Sequence, residues 1–449
     1  MDIARETALK VLYDINEKGA YSNIALNKYL GEYALKDVDR ALATDLVYGT
    51  VKWKLALDRV IEQFSSVRLK KISPWIINIL RLGVYQLLFT SRIPESAACN
   101  ECVKLSKKYG HAASSGFVNA VLRNIARNRD IIRYPDRDKE YEEYLSVKYS
   151  HPQWIVRHWL SRFGGEFTES LLDSNNEIPE FTVRTNTLKL YRDQLIEEFR
   201  KEGIEAVAGR YHEEAVILKN PSSIARLDSY RQGLFQVQDE SSMLVGSVLD
   251  PWEGELVIDV CSAPGGKATH IAGLMKGHGT VIARDIHQHK ISIINDAAKR
   301  LGTTNIKTEI FDATHVDERY IGKADRVLVD APCTGLGIIR RKPDIKWART
   351  ESDIKEITAL QESILEASSK YVKQGGFLVY STCTIEPEEN EEMVKKFIKS
   401  NPEFNFVDIS DILPVELTSE TTRNGYIQIF PNIHKIDGFF IAKLKRGDC

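Results

Sequence analysis

Cysteine is scarce in this chain: six occur among 449 residues, at positions 99, 102, 261, 333, 383 and 449. So few, so widely spread, form no disulfide framework, and a reducing, cytoplasmic setting is expected. Long hydrophobic runs are also missing. The most apolar stretch, Trp75 to Phe89, is interrupted by Asn78, Arg81 and Gln86, and is too short and too polar to cross a bilayer. The opening Met-Asp-Ile-Ala-Arg-Glu lacks the apolar core of a secretion signal. Net charge is small, −2, so the overall balance singles out no partner. No internal repeat or low-complexity tract occurs. A membrane protein, a secreted mini-domain and a solenoid are thereby excluded.

What remains is a chain long enough for about three domains at roughly 150 residues each. Its charge is unevenly spread. Between Val51 and Arg133 there are 15 Lys and Arg against 5 Asp and Glu, while the remainder is acidic on balance. A locally basic domain is the electrostatic footprint of a nucleic-acid binder, although a solvated helical surface looks the same by charge alone. Residues 1–133 read as an all-helical bundle. Ile76, Ile77, Leu80, Val84, Leu87 and Leu88 recur at helical spacing, and Pro74 stands where a helix begins. The tyrosine-rich, charged stretch from Tyr134 to Tyr149 reads as a linker or a short exposed helix. Trp154 to Leu172 reads as one helix. Phe181 to Thr185 reads as a strand, Leu190 to Glu202 as a helix, and Gly203 to Leu218 as two strands, giving a small α+β domain over 134–231.

From residue 232 onward strands and helices alternate. Strands are expected at Leu256–Val260, Thr280–Arg284, Ile306–Phe311, Arg326–Val329, Gly376–Ser381 and Phe439–Leu444, with the clearest helix at Asp353–Lys373. Such alternation implies a mostly parallel, doubly wound sheet that binds ligands at the C-terminal ends of its strands. The first strand ends in Asp259 and runs through Cys261, Ser262, Ala263, Pro264, Gly265, Gly266 and Lys267 into a helix. Glycines let a ligand approach the backbone, and a helix N-terminus offers free N–H groups. The loop is neither G-x-G-x-x-G nor G-x-x-x-x-G-K-[ST], which argues against a dinucleotide and against ATP. Asp285 ends the second strand, where a ribose-binding carboxylate belongs, and Asp312 ends the third, in reach of an adenine amine. One such acid alone is most simply a turn residue; three on successive strands beside a glycine loop point to a methionine-bearing nucleoside.

Two more strands end in Asp330-Ala-Pro-Cys333 and Ser381-Thr-Cys383. Buried packing is the usual role of cysteine, but two thiols at the ligand edge of a sheet suit nucleophilic chemistry. Carbon 5 of a pyrimidine is a poor nucleophile. A thiolate added at carbon 6 makes it electron-rich enough to take a methyl group from a sulfonium. A second group must then help release the adduct, and Asp330 could hydrogen-bond the base.

Together these motifs resemble the RNA 5-methylcytosine methyltransferases, the Sun or Fmu family in particular. Asp39-Arg-Ala, Leu46-Val-Tyr-Gly49, Arg81-Leu-Gly-Val-Tyr-Gln86 and Gly116-Phe-Val-Asn-Ala-Val-Leu-Arg123 are similar to the NusB-like RNA-binding domain of that family. Gly233 to Ser242 and Arg340-Arg-Lys-Pro-Asp-Ile-Lys-Trp347 extend the likeness to essentially the full length. The resemblance implies a NusB-like domain over 1–133, a small α+β domain over 134–231, and a Rossmann-like class I methyltransferase domain over 232–449. It implies S-adenosylmethionine as cofactor, held by Cys261–Lys267, Asp285, Asp312 and Asp330. It further implies Cys383 as nucleophile, Cys333 as the thiol of product release, and a cytosine of 16S ribosomal RNA, free or in an early assembly particle, as target. A cytoplasmic monomer without metal is expected. Ser262 departs from the alanine common in the family.

Cys99 and Cys102 form a lone C-x-x-C on a helix and are read as packing residues, since no further zinc ligands lie near in sequence. His287 and His289 are read as solvated, and Cys449 carries no inferable role. A tRNA or DNA cytosine methyltransferase, the latter using Pro332-Cys333, is an alternative. A non-catalytic RNA-binding factor is another, disfavoured by the intact loop and both cysteines.

Overall fold

The structure, a computed structural model, describes residues 2–33, 35–219, 221 and 224–447. They form two compact units: residues up to Glu177 together with Ile339–Thr350, and Ile178–Ile338 with the chain from Glu351 onward. The division at Glu177 falls between the expected boundaries at 133 and 231.

The first unit is helical, as the periodicity predicts. Helices span Ile3–Lys18, Ser22–Glu32, Asp37–Lys52, Lys54–Phe64, Pro74–Phe89, Glu95–Tyr109 and Ala112–Arg127. Asp2 caps the first by accepting from the Arg5 N–H, and Gly19 ends it at φ 67°. Pro74 occupies the first turn of its helix, as expected. The three polar residues that interrupt this apolar helix are all satisfied. Asn78 bonds Asn16 and the Pro74 carbonyl, Arg81 pairs with Asp58 at 2.7 Å, and Gln86 accepts from Arg5 at 2.7 Å. Gly49 has a packing reason: a Cβ there would lie 2.0 Å from the Tyr85 ring.

Three shorter helices follow, at Tyr141–Lys148, Gln153–Phe163 and Gly165–Ser174. The single helix expected over Trp154–Leu172 is therefore two, broken where Gly164 adopts φ 78°. Ile339–Thr350 also packs in this unit. Asp344 accepts from the Ser22 backbone and hydroxyl, and the Trp347 indole N–H donates to the Val51 carbonyl at 2.7 Å.

The second unit holds two sheets. The smaller contains β1 (Phe181–Thr185), β2 (Ala206–Ala208), β3 (Ala215–Leu218) and β4 (Phe235–Val237), antiparallel in the order β2-β3-β1-β4. The helix Arg192–Lys201 covers it through Leu195 and Phe199. The larger contains β5 (Leu256–Asp259), β6 (Thr280–Asp285), β7 (Ile306–Ile310), β8 (Ala324–Asp330), β9 (Val372–Thr382), β10 (Phe404–Phe406), β11 (Tyr426–Ile429) and β12 (Phe439–Arg446). Its order is β10-β12-β9-β8-β5-β6-β7, with β11 also paired to β12.

Strands β5 to β9 run parallel, as the alternation predicts, and β12 adds antiparallel to β9. The short strands β10 and β11 carry too few residues for their alternation to be read in the sequence. Apolar clusters cover both faces of the sheet. The direction of winding reverses between β5 and β8, so a crevice opens there at their C-terminal ends. No helix among the described residues is long and apolar enough to cross a membrane.

Candidate active site

The loop after β5 is held from below. Ser262 donates its hydroxyl to the Asp259 carbonyl at 2.9 Å and receives the Arg284 N–H at 3.1 Å, which stitches the loop to β6. Its side chain is thus a structural staple. Gly265 turns the chain at φ 98°, leading into the helix Gly266–Leu274. A residue that sequence reading missed supports this turn from the small sheet. Arg184 of β1, buried, donates to the Gly266 carbonyl at 2.7 Å and to the Thr269 hydroxyl at 3.2 Å. Asp259 is fully buried at the end of β5. Burial, then the charge of Asp330, pushes its carboxyl up to about 7.

The strand-end acids differ in how far they are already engaged. Asp285 accepts from the His287 N–H at 3.0 Å, with the Lys290 ammonium 3.4 Å from its other oxygen. Asp312 accepts from the Thr314 N–H and hydroxyl, which hold its carboxyl below the usual range. Asp330 is held on both sides: Lys267 at 2.7 Å and the Ser381 hydroxyl at 2.9 Å. Lys267 therefore faces Asp330 and the Phe439 ring.

The parallel register of β8 and β9 sets Asp330 opposite Ser381. It thereby carries the two cysteine loops to one place, and the Cys333 and Cys383 sulfurs stand 3.1 Å apart, both half-buried. The hydrogen bond with Cys383, burial and the nearby Glu389 push the Cys333 thiol well above its usual range. Gly337 donates its N–H to the Cys383 carbonyl at 3.1 Å, which fixes one loop on the other. Behind them lies Glu389, a buried carboxylate that no sequence motif pointed to.

A cleft of about 430 Å3 joins these groups, lined among others by Cys261, Asp285, Asp312, Asp330, Cys333 and Cys383. That volume lies within the ~300–1,000 Å3 common for small-molecule sites. Ala263 also lines it, whereas Ser262, Pro264, Gly265, Gly266 and Lys267 do not. Exposed Ile286 and Leu360 supply apolar wall. Burial and the surrounding carboxylates push the Cys261 thiol up, which disfavours its reacting as a thiolate.

Elsewhere, Cys99 and Cys102 are buried in the helix Glu95–Tyr109, and burial raises Cys102 to about 12. They pack, as the sequence suggests. His287 and His289 are exposed, their rings 5.5 Å apart. Cys449 lies outside the described residues.

Three family descriptions match in chain order: the NusB family over residues 2–127, an RsmF/B-like ferredoxin-like domain over 151–225, and 16S rRNA methyltransferase RsmB/F over 246–445. The probable ribosomal RNA small subunit methyltransferase B of Bacillus subtilis is 40% identical over 448 residues, 98% of both chains. Its counterpart in Synechocystis is 35% identical over 450 residues, 99% of both. Among solved structures, PH0851 covers 99% of both chains at 28% identity with a TM-score of 0.81. NSun6 from Pyrococcus horikoshii matches 66% of this chain and 99% of its own at 25% identity, with a TM-score of 0.59. Identity of this extent across the whole length places the chain in the ribosomal RNA small subunit methyltransferase B family.

Proposed function

We propose that this protein transfers the methyl group of S-adenosylmethionine to carbon 5 of a cytosine in 16S ribosomal RNA, through a covalent bond between Cys383 and carbon 6. The observation that carries this reading is the 3.1 Å approach of two thiols in a cleft lined by Asp285, Asp312 and Asp330. Relatives described as small-subunit ribosomal RNA methyltransferases support the substrate class. The structure of NSun6 with SFG, an S-adenosylmethionine analogue, supports the cofactor.

The residues present suit that cofactor. Asp285 keeps acceptor capacity for ribose hydroxyls, since it takes one backbone bond and one long contact with Lys290. Asp312, short of full burial, stands by for the adenine amine. The loop Cys261–Lys267 offers backbone to the cleft at Cys261 and Ala263. When bound, S-adenosylmethionine supplies an electrophilic methyl group on a sulfonium.

The chain's residues do the rest. The Cys383 thiolate adds to carbon 6, breaking the C5–C6 double bond and placing its electron pair at carbon 5. Asp330, oriented by Lys267 and Ser381, accepts from the exocyclic amine and holds the ring in plane with the cleft. After methyl transfer the C5 proton leaves, its bonding pair re-forms the double bond, and the Cys383–C6 bond breaks. The departing sulfur carries the negative charge, and the Cys333 thiol, which stays protonated, donates a hydrogen bond to it. The helical unit, with its basic residues, serves as the RNA-docking part.

Two single variants test this. Cys383→Ala should abolish methylation and form no protein–RNA adduct. Cys333→Ala should fail to turn over yet accumulate an adduct that survives denaturing gels. Adducts from Cys383→Ala and none from Cys333→Ala would reverse the roles. Bisulfite sequencing of ribosomal RNA from cells lacking the protein locates the cytosine.

A further inference from the structure

Two consecutive residues lie behind the cysteines, and each reaches a different cysteine loop. Glu389 ends the short turn Pro387–Glu389 and is 0% exposed. One carboxylate oxygen accepts from the Thr334 hydroxyl; the other accepts from the Thr334 N–H at 2.9 Å and from the Gln361 amide at 2.9 Å. Gln361 in turn donates to the Pro332 carbonyl at 2.9 Å. The residues on both sides of Cys333 are thus tied to one buried carboxylate. No lysine or arginine pairs with Glu389 among the described residues; burial pushes its carboxyl up, and those donors act against that shift.

Asn390 serves the other loop. Its amide oxygen accepts from the Thr382 hydroxyl at 2.5 Å, and its amide nitrogen donates to the Thr384 carbonyl at 3.1 Å. Thr382 and Thr384 flank Cys383. The same nitrogen donates to Gln428 at 2.7 Å, which anchors it to β11. The backbone of the pair is itself fixed, because the Tyr380 hydroxyl donates to the Glu389 carbonyl at 2.7 Å. Finally, the Thr334 and Thr384 hydroxyls meet at 2.9 Å, closing the arrangement between the two loops.

We propose that Glu389 and Asn390 are positioning residues that together set the distance between the two thiols, Glu389 placing Cys333 and Asn390 placing Cys383. Neither touches the cleft, so each acts through its cysteine. The hydrogen bond with Cys383 and burial, with a smaller contribution from Glu389, push that thiol up toward the protonated form required of a donor to the departing sulfur. The division of labour predicts different kinetic lesions. Loss of the Glu389 charge weakens the hold on Cys333 and slows release. Loss of the Asn390 amide frees Cys383 and slows addition. Misplacing a reacting group by about 1 Å costs on the order of 100-fold in rate.

This inference rests on the assignment of Cys383 to addition and Cys333 to release, so Cys333→Ala is run alongside. Single-turnover reactions of the full-length protein with 16S RNA transcript and S-adenosylmethionine are followed on denaturing gels. Glu389→Gln should form adduct at the wild-type rate and release it ~10–100-fold more slowly, while Asn390→Ala should form it ~10–100-fold more slowly and accumulate none. Cofactor affinity, read by calorimetry, should be unchanged in both. Equal slowing of the same step in both variants, wild-type release in Glu389→Gln, or lost cofactor affinity overturns the proposal. If Cys333→Ala itself accumulates no adduct, the cysteine assignment has failed instead. Should Glu389→Gln not fold, Gln361→Met, which removes only the amide between Pro332 and the carboxylate, carries the same expectation and the same refutation.

Discussion

Removing the Asp285 carboxylate should weaken S-adenosylmethionine binding by about one to two orders of magnitude. The size follows from the geometry. The side chain is 9% exposed, so water competes poorly with a hydrogen bond made there. Its existing partners, the His287 N–H at 3.0 Å and the Lys290 ammonium at 3.4 Å, leave acceptor positions on both oxygens. A hydrogen bond to a charged group contributes about 1.5–3 kcal/mol, and every 1.4 kcal/mol is tenfold in affinity, so Asp285→Ala should cost ~10–150-fold. Asp312 provides the internal comparison. Its side chain is 40% exposed and already accepts two bonds from Thr314, so Asp312→Ala should cost less, under ~10-fold. Isothermal calorimetry with the cofactor and no RNA measures both directly. Unchanged affinity in Asp285→Ala would remove that residue from the site, and a larger loss for Asp312→Ala would refute the argument from burial.

Arg68, Lys70 and Lys71 are exposed and form no ion pair among the described residues, unlike Lys104, Lys108 and Arg129 of the same unit. If they meet phosphates, replacing all three by Ala should lower the slope of log affinity for RNA against log salt by about 2–3, at ~0.7–0.9 per contact. A filter-binding titration with an unchanged slope would show that RNA docks elsewhere. In the second unit, His212 is held neutral by burial, down to about 3 from 6.5. The unfolded chain takes up a proton as pH falls through 6.5 while the folded chain does not. The stability present above 6.5 is therefore lost progressively between 6.5 and about 3. His212→Gln should flatten that acid decline in urea midpoints; parallel curves for variant and wild type would refute it.

The legible parts of this molecule are those governed by period and by strand-end chemistry. Alternation located β5 to β9, and the crevice at the β5–β8 reversal follows from connectivity alone. The acids and cysteines were visible because each sits just after a strand. What stayed hidden depends on contacts far apart in sequence. Arg184 lies on a strand of the small sheet, yet it supports the carbonyl of Gly266, and nothing near either residue announces the pairing. Glu389 stands among Glu386, Glu388 and Glu391, and only the fold shows that Glu386 and Glu389 are the buried ones. Lys267 and Ser262 share a motif with the cofactor loop, yet one faces Asp330 and the other staples the backbone. A motif marks a segment as functional without dividing it into residues that touch ligand and residues that shape the loop. Some likenesses prove to be packing: Gly49, from the Leu-Val-Tyr-Gly signature, makes room for the Tyr85 ring from the Arg-Leu-Gly-Val-Tyr-Gln signature.

The segment Ile339–Thr350 shows why the chain does not divide where its helices end. It follows Cys333 by only a few residues, then leaves the sheet unit and becomes part of the helical one, where Ser22 and Val51 receive Asp344 and Trp347. Ile345 and Lys346 are buried in that setting, and the Lys346 ammonium, with no hydrogen-bond partner, is held well below its usual range by burial and by Lys52. A buried, unpaired amine is costly, so the segment keeps this place only while the surrounding helices pack it. Removing residues 1–133 would take away the Ser22 and Val51 partners of Asp344 and Trp347, and Lys52 with them. Loss of activity on truncation would therefore not isolate RNA docking, because the segment that follows Cys333 would have lost its partners as well. Surface substitutions such as those at Arg68, Lys70 and Lys71 leave those contacts intact, so a changed salt slope in them reports on recognition of RNA by the helical unit.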